Sequence, residues 1–169
     1  MSNQKKSDNE KIIKGADIEK FKIKNCKNYI LFTPSDFQQC APEKMYRAKE
    51  KLLYKFISKK LVFAYDDKQT LTLNSCNILI PKIEGLDIKY ILGILNSDIV
   101  QFYFEKKFKS VKVLKSHIEQ IPIPDVKFEE QIPIINIVDK IILSKNNTEK
   151  LIKELNLLCN HLYGIKETE

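Results

Sequence analysis

Four acidic residues in this chain have a lysine two positions downstream: Asp66, Asp87, Glu105 and Asp125. Carboxylates plus a lysine can assemble around a divalent metal to hydrolyse phosphodiesters, and Asp98, seven residues before Glu105, would add a ligand. In a sequence with 28 lysines, four such coincidences stand near chance, and spacing without structural context is weak support. A small metal-dependent nuclease is therefore the least favoured reading. His117, in KSHIE, and His161, near the C-terminus, have no serine or cysteine at a spacing that argues for a nucleophile, and a lone histidine beside Glu119 reads as a surface or capping residue. Cys26, Cys40, Cys76 and Cys159 lie far apart with no C-x-x-C pair, so reduced, buried thiols are expected rather than zinc or disulfides. The four glycines, Gly15, Gly85, Gly93 and Gly164, are scattered, and no Pro-Pro occurs. That excludes a phosphate-cradling loop, and with it a nucleotide or methyl-donor site in this chain.

What remains is cationic. Lys44, Arg47, Lys49, Lys51, Lys55, Lys59 and Lys60 accompany Glu43 and Glu50, and Lys106, Lys107, Lys109, Lys112 and Lys115 run with no acid between them, around Phe108 and just after Phe102, Tyr103 and Phe104. Cations at this density can neutralise phosphates and release counterions; a solvated lysine face is the equally weighted alternative. The net charge of +7 is unevenly spread: residues 1–60 carry 15 Lys and Arg against 7 acids, residues 121–169 carry 6 against 8. A basic front and a slightly acidic tail suit a protein with one face toward a polyanion and another toward protein. A single arginine among so many lysines also fits an AT-rich genome. There is no apolar run of membrane-spanning length and no secretory leader, so a soluble, cytoplasmic protein is expected, without membrane contact.

The elements that must position these residues read as mixed α and β. Residues 1–11 are too polar to order, or belong to an expression tag. Tyr29–Phe32 reads as a buried strand closed by Thr33-Pro34. Residues 41–60 show a partial helical stripe at Met45, Leu52, Leu53, Phe56 and Ile57. Leu61–Tyr65 and Leu71–Ile80 are strand-like runs separated by Asp66-Asp67-Lys68, which predicts a β-hairpin. Leu86–Phe108 has helical spacing, with a break expected near Gly93, Asn96 and Ser97. The sequence IPIP at 121–124 must be extended. From Glu129 a helix starts, Pro133 being placed in its first turn. Ile134, Val138, Ile141, Lys145, Thr148, Ile152, Leu155, Cys159 and Leu162 then form a seam of alternating steps of four and three residues, either one long helix or two joined at Ser144–Thr148. Such a seam pairs helices within the chain or in a helix-mediated dimer.

The order of segments resembles a known family. KLLYKFISKKLVFAYD at 51–66, LNSCNILIP at 73–81, YILGILNSDIVQFY at 90–103 and VLKSHIEQIPIP at 113–124, with the opening GADIEKF at 15–21, are similar to the TaqI-like C-terminal specificity domain. The resemblance covers about residues 12–126, and the I-L-N-S and I-P-I-P elements together at this spacing are its most specific part. It implies a mixed α+β domain, with a mixed sheet, a β-hairpin and flanking helices, that reads a short duplex DNA sequence for an adenine-specific methyltransferase or a fused restriction-modification enzyme. The catalytic region, and the S-adenosylmethionine it uses, would lie on another part of the polypeptide or another subunit; no cofactor or metal is expected here. Residues 127–169, with FEEQIPIINIVD at 128–139, are similar to the helical spacer and partner-binding segment of type I specificity subunits. No base-reading position carries over from the family. The physical pattern offers the turn residues Asp67, Lys68 and Gln69 as base readers, with the two lysine segments on the phosphates. A protein-interaction module built on the seam, with incidental basic charge, is the runner-up.

Overall fold

Leu52, Leu53 and Tyr54 are consecutive and all buried, so the strand that holds them needs apolar cover on both faces. The computed structural model, which describes residues 1–37 and 39–165, supplies that cover with a sheet between two layers. In chain order the strands are β1 (Glu10–Ile13), β2 (Ile18–Glu19), β3 (Lys22–Ile23), β4 (Tyr29–Ile30), β5 (Lys51–Lys55), β6 (Phe63–Asp66), β7 (Leu71–Thr72) and β8 (Cys76–Leu79). The helices are α1 (Glu43–Tyr46), α2 (Ile88–Asn96), α3 (Asp98–Lys107), α4 (Lys115–Ile118), α5 (Phe128–Leu143) and α6 (Glu149–Leu162). The mixed α+β class expected from the sequence is what is found.

β5 is the middle of an antiparallel sheet ordered β6-β5-β8, with Leu53 opposite both Ala64 and Ile78. Leu52, Tyr54 and Phe63 face α2, α3 and α5 in the main core, and Leu53, Ala64 and Cys76 face Ile13 and Ile18 of the N-terminal layer. A second sheet, β4-β1-β7, pairs β1 antiparallel with β4 and parallel with β7.

Two expectations fail at the centre. Only Glu43–Tyr46 of residues 41–60 is helical, and Lys51–Lys55 is the central strand; a short apolar run covered on both sides has no period to separate strand from helix. The predicted hairpin between Leu61–Tyr65 and Leu71–Ile80 does not form, since β6 and β8 both flank β5. Asp66 causes this: its carboxylate accepts from the amides of Lys68 and Thr70 and from the Thr70 hydroxyl, turning the chain out of the sheet and into β7. The hairpin that does form is β5 to β6. Tyr29–Ile30 is a half-buried edge strand rather than a buried one, and Leu31 is exposed. Ser2 exchanges both backbone hydrogen bonds with Tyr29, and β1 begins at Glu10, so structure starts before the boundary placed at residue 12.

The family motifs resolve into structural parts. The Asn96 side chain bonds the backbone of Phe63 in both directions, accepting at 3.1 Å and donating at 2.9 Å, as a neighbouring strand would. Ser97 caps α3, which is the expected break. In the extended IPIP segment, the Pro124 carbonyl accepts from the Tyr90 hydroxyl and the Pro122 carbonyl from that of Tyr163. The seam is two helices, with its turn at Ser144–Thr148, and it is consumed inside the chain: Ile134, Val138, Ile141, Leu155 and Cys159 are buried in the same core as α2. Pro133 lies in the second turn of α5, not the first, at an exposed position, so it costs one intrahelical bond on the outer side. Lys20 and Lys22 donate to the carbonyls of Asn96 and Ser144, at the C-terminal ends of α2 and α5, where cations are favoured. Phe21 between them, buried, has φ 75, an uncommon conformation for an aromatic residue held here by both lysines and by its own bonds to Phe63 and Tyr65.

Gly93 sets how closely α2 meets the tail. A Cβ there would stand 2.6 Å from Ile134 Cγ2, 3.2 Å from Val138 Cγ2 and 3.3 Å from Leu155 Cδ1. Gly93→Val is expected to force α5 and α6 off α2 and destabilise the fold by about 1–3 kcal/mol, read as a lower urea midpoint.

Candidate nucleic-acid interface

At the start of β5 the Lys51 ammonium is 0% exposed; it donates to Asp66 Oδ2 at 2.5 Å and to the Tyr46 carbonyl at 3.1 Å. With the Thr70 amide and hydroxyl on the same carboxylate, the buried pair is fully hydrogen-bonded. Lys51 therefore cannot reach a phosphate, contrary to its place among the phosphate-contact candidates. What it does is fix the turn Asp67–Gln69, whose three residues are exposed. Lys68 pairs with Asp67 at 3.3 Å, and Gln69, at φ 55, donates its amide to the Arg47 carbonyl at 3.2 Å. Of the three base-reading candidates, Gln69 is thus tied down while Asp67 and Lys68 stand in water, paired with each other.

Arg47 is also committed. Its guanidinium binds both carboxylate oxygens of Glu10, lies 3.5 Å from Glu43 and sits over the Phe32 ring. These partners raise the Arg47 pKa and hold Glu10 below the ordinary carboxylate range, hydrogen bonding to Arg47 being the main cause. A carboxylate with a depressed folded-state pKa stabilises the fold above its unfolded value and stops doing so as pH falls through the folded one. Lys44 and Lys49 remain exposed, without an acidic partner among the described residues.

The other end of β5 is different. The Ser58 amide donates to the Val111 carbonyl and the Val113 amide to the Phe56 carbonyl, both at 2.8 Å, with Ile57 opposite Lys112. This two-stranded ribbon joins the lysine segments that are 50 residues apart in sequence. It brings the segment carrying Lys59 against that carrying Lys109 and Lys112, with Lys115 at the start of α4 next along the chain. Lys59 and Lys109 line a cleft of about 320 Å³ together with Phe104, Phe108, Val111 and the carboxylate-bearing Glu105. At the end of α3, the Lys106 ammonium lies over Phe102, and that of Lys107 over Tyr103 and Phe108. Lys115 pairs with Glu119 at 3.4 Å; Lys59, Lys109 and Lys112 have no acidic partner among the described residues.

The two cationic ends are separated by the length of β5, about 13 Å of strand, so one continuous surface from Lys44 to Lys60 is not formed. Sequence reading missed the ribbon because its two strands are short and irregular, each with a single bridged residue. It also missed Thr70, whose only signal was its place at the end of the Asp66 turn.

The other candidates have structural work. The Asp87 side chain accepts from the Lys89 amide at the start of α2, Lys89 reaches Asp139 at 2.6 Å, Asp98 meets Lys20 and Asn156, and Glu105 accepts from Gln101. Among the described residues no three His, Cys, Asp or Glu side chains gather as a metal site would require. His117 stacks on Phe108 with ring centres 4.4 Å apart, and its Nδ1 accepts from the Leu114 amide at 3.4 Å. Cys76 and Cys159 are buried, and burial pushes both thiols up to about 12. Cys40 is exposed, unlike the expectation for it. No helix among the described residues is long and apolar enough to cross a membrane.

A specificity domain of mixed α+β architecture is what comparison with known proteins returns. The model of the TaqI-like C-terminal specificity domain matches residues 10–123, and the chain belongs to that family. The fold is shared with the type IIL restriction-modification enzyme MmeI, solved in complex with DNA: TM-score 0.62 at 12% identity, over 96% of this chain and 29% of that one. This chain thus spans under a third of the enzyme it resembles. No curated protein matches it.

Lys51→Met should cost about 3–5 kcal/mol, because the Asp66 carboxylate is left buried and uncompensated. Adding Asp66→Asn should recover most of that loss in urea denaturation while keeping an acceptor for Thr70. Glu10→Gln should flatten the loss of stability on acidification below pH 5, measured by thermal melts across pH.

Proposed function

We propose that this chain is the DNA target-recognition domain of a restriction-modification enzyme, directing methylation of adenine by a catalytic region that lies elsewhere in the polypeptide or on a separate subunit. The observation that carries the reading is the ribbon at 56–58 and 111–113, which joins the segments of Lys59, Lys109 and Lys112, none with an acidic partner among the described residues, in a specificity-domain fold. Unpaired ammonium groups on a rigid backbone suit phosphates, which position a duplex without reading it. Lys106, Lys107 and Lys115 would extend that grip, and Lys44, Lys49 and the Asp67–Lys68 turn would meet the duplex further along, beyond β5. In this division of labour the catalytic region binds S-adenosylmethionine and flips out the target base, while this domain holds the flanking duplex. The chain itself performs no covalent step. A protein-interaction module built on the tail seam has less support, since the seam residues are already buried against α2.

Titration of labelled duplex with the full chain at two salt concentrations tests the reading. Binding is expected to weaken steeply with salt, by about 0.9 log units per log unit of salt for each phosphate neutralised. Lys109→Glu with Lys112→Glu should lower affinity at least tenfold on every sequence alike and reduce that slope by about two. Salt-insensitive or absent binding would overturn the proposal.

A further inference from the structure

We infer that the outer face of α5 is a self-association surface, on which a second copy of this chain docks with its own α5 antiparallel about a two-fold axis. Phe128, Ile132, Ile135, Asp139 and Ile142 recur at alternating steps of four and three residues and therefore share one face of the helix. Leu143 adjoins that face at its C-terminal end. The residues that bury α5 in its own chain, Ile134, Ile137, Val138 and Ile141, lie on another. Phe128 is 56% exposed, Ile132 40% and Leu143 80%, while Ile135 and Ile142 are partly buried. The charge within the row is compensated, since Asp139 accepts from Lys89 at 2.6 Å. An apolar row about 22 Å long on one helix, rather than scattered single residues, marks a surface that another polypeptide covers.

The charges beside the row name the occupant. Glu129 stands in the first turn of α5 and Lys140 in the last, about three turns apart and on the same flank of the row. Both are exposed, and neither has an oppositely charged partner among the described residues. Their positions also suit the dipole of their own helix, but the dipole gives no reason for exposed apolar side chains between them. Two antiparallel helices related by a two-fold axis meet with like flanks together, so the Glu129 of each lies beside the Lys140 of the other. The same alignment, centred near Ile135, sets Phe128 against Ile142 and Leu143 of the copy. A surface that complements itself in both apolar pattern and charge fits a copy of itself, and the acids Glu129 and Glu130 make it a poor seat for a polyanion. The row shares no residue with the lysine ribbon, so the inference stands independently of DNA binding.

Sedimentation equilibrium of the full chain over a range of concentrations, without DNA, is expected to show the mass rising from that of one chain toward that of two. Ile132→Asp should raise the dimer dissociation constant at least about tenfold, with a urea midpoint close to that of the unaltered chain because the position is exposed. Glu129→Lys or Lys140→Glu alone should raise it about fivefold, through two symmetry-related pairs, and the two together should restore it. A chain that stays monomeric at every concentration would overturn the inference and leave the row to a different polypeptide. A dimer untouched by Ile132→Asp would overturn it by moving the contact elsewhere, and single reversals that the double variant fails to rescue would overturn the antiparallel arrangement. Should Ile132→Asp unfold, the paired reversals at exposed positions carry the test alone.

Discussion

A lysine and an aspartate buried together at one end of the central strand organise this molecule. Removing two charges from water is costly, and the cost is offset here because Asp66 accepts from Lys51 and Thr70 while Lys51 also reaches the Tyr46 carbonyl. One carboxylate therefore ends β6, opens the turn that follows and ties both to the segment preceding β5. It diverts the chain from a simple hairpin into β7, which joins the second sheet to the first. The two-layer arrangement around β5 depends on that diversion.

The opposite end of β5 is held by backbone pairing. The segment leaving the strand meets residues 111–113, and Lys59, Lys109 and Lys112 on them have no acidic partner among the described residues. The molecule thus spends some of its positive charge internally and leaves the rest outside. Lys20, Lys22, Arg47, Lys51 and Lys89 are engaged with carbonyls or carboxylates, while Lys59, Lys109 and Lys112 have no such partner among the described residues. A net charge of +7 understates how local the uncompensated part is.

That partition was not legible in the sequence. Lys51 and Lys55 are alike in spacing and neighbours, and only the register opposite Asp66 decides that one is buried and the other half-exposed. The long elements could be read because their periodicity is sustained: α2, the break at Ser97 and the tail helices follow from apolar spacing and capping residues. The centre could not. LLY in β5 has no period, and the Asp66 turn carries the same residues whether it closes a hairpin or leaves the sheet. The family motifs were visible as patterns, but their physical content needed the fold: Asn96 completes the backbone bonding of Phe63, and the two prolines offer carbonyls to Tyr90 and Tyr163.

The tail helices have a bearing on how such a domain is moved between enzymes. Residues matched by the family end at 123, yet Ile134, Val138, Ile141, Leu155 and Cys159 complete the apolar layer over α2, and Gly93 leaves room for Ile134. A graft cut at the end of the matched region would carry α2 with its outer side bare. The smallest transplantable piece accordingly runs on through Tyr163, and chimaeras joined beyond that point keep the hydrophobic interior whole.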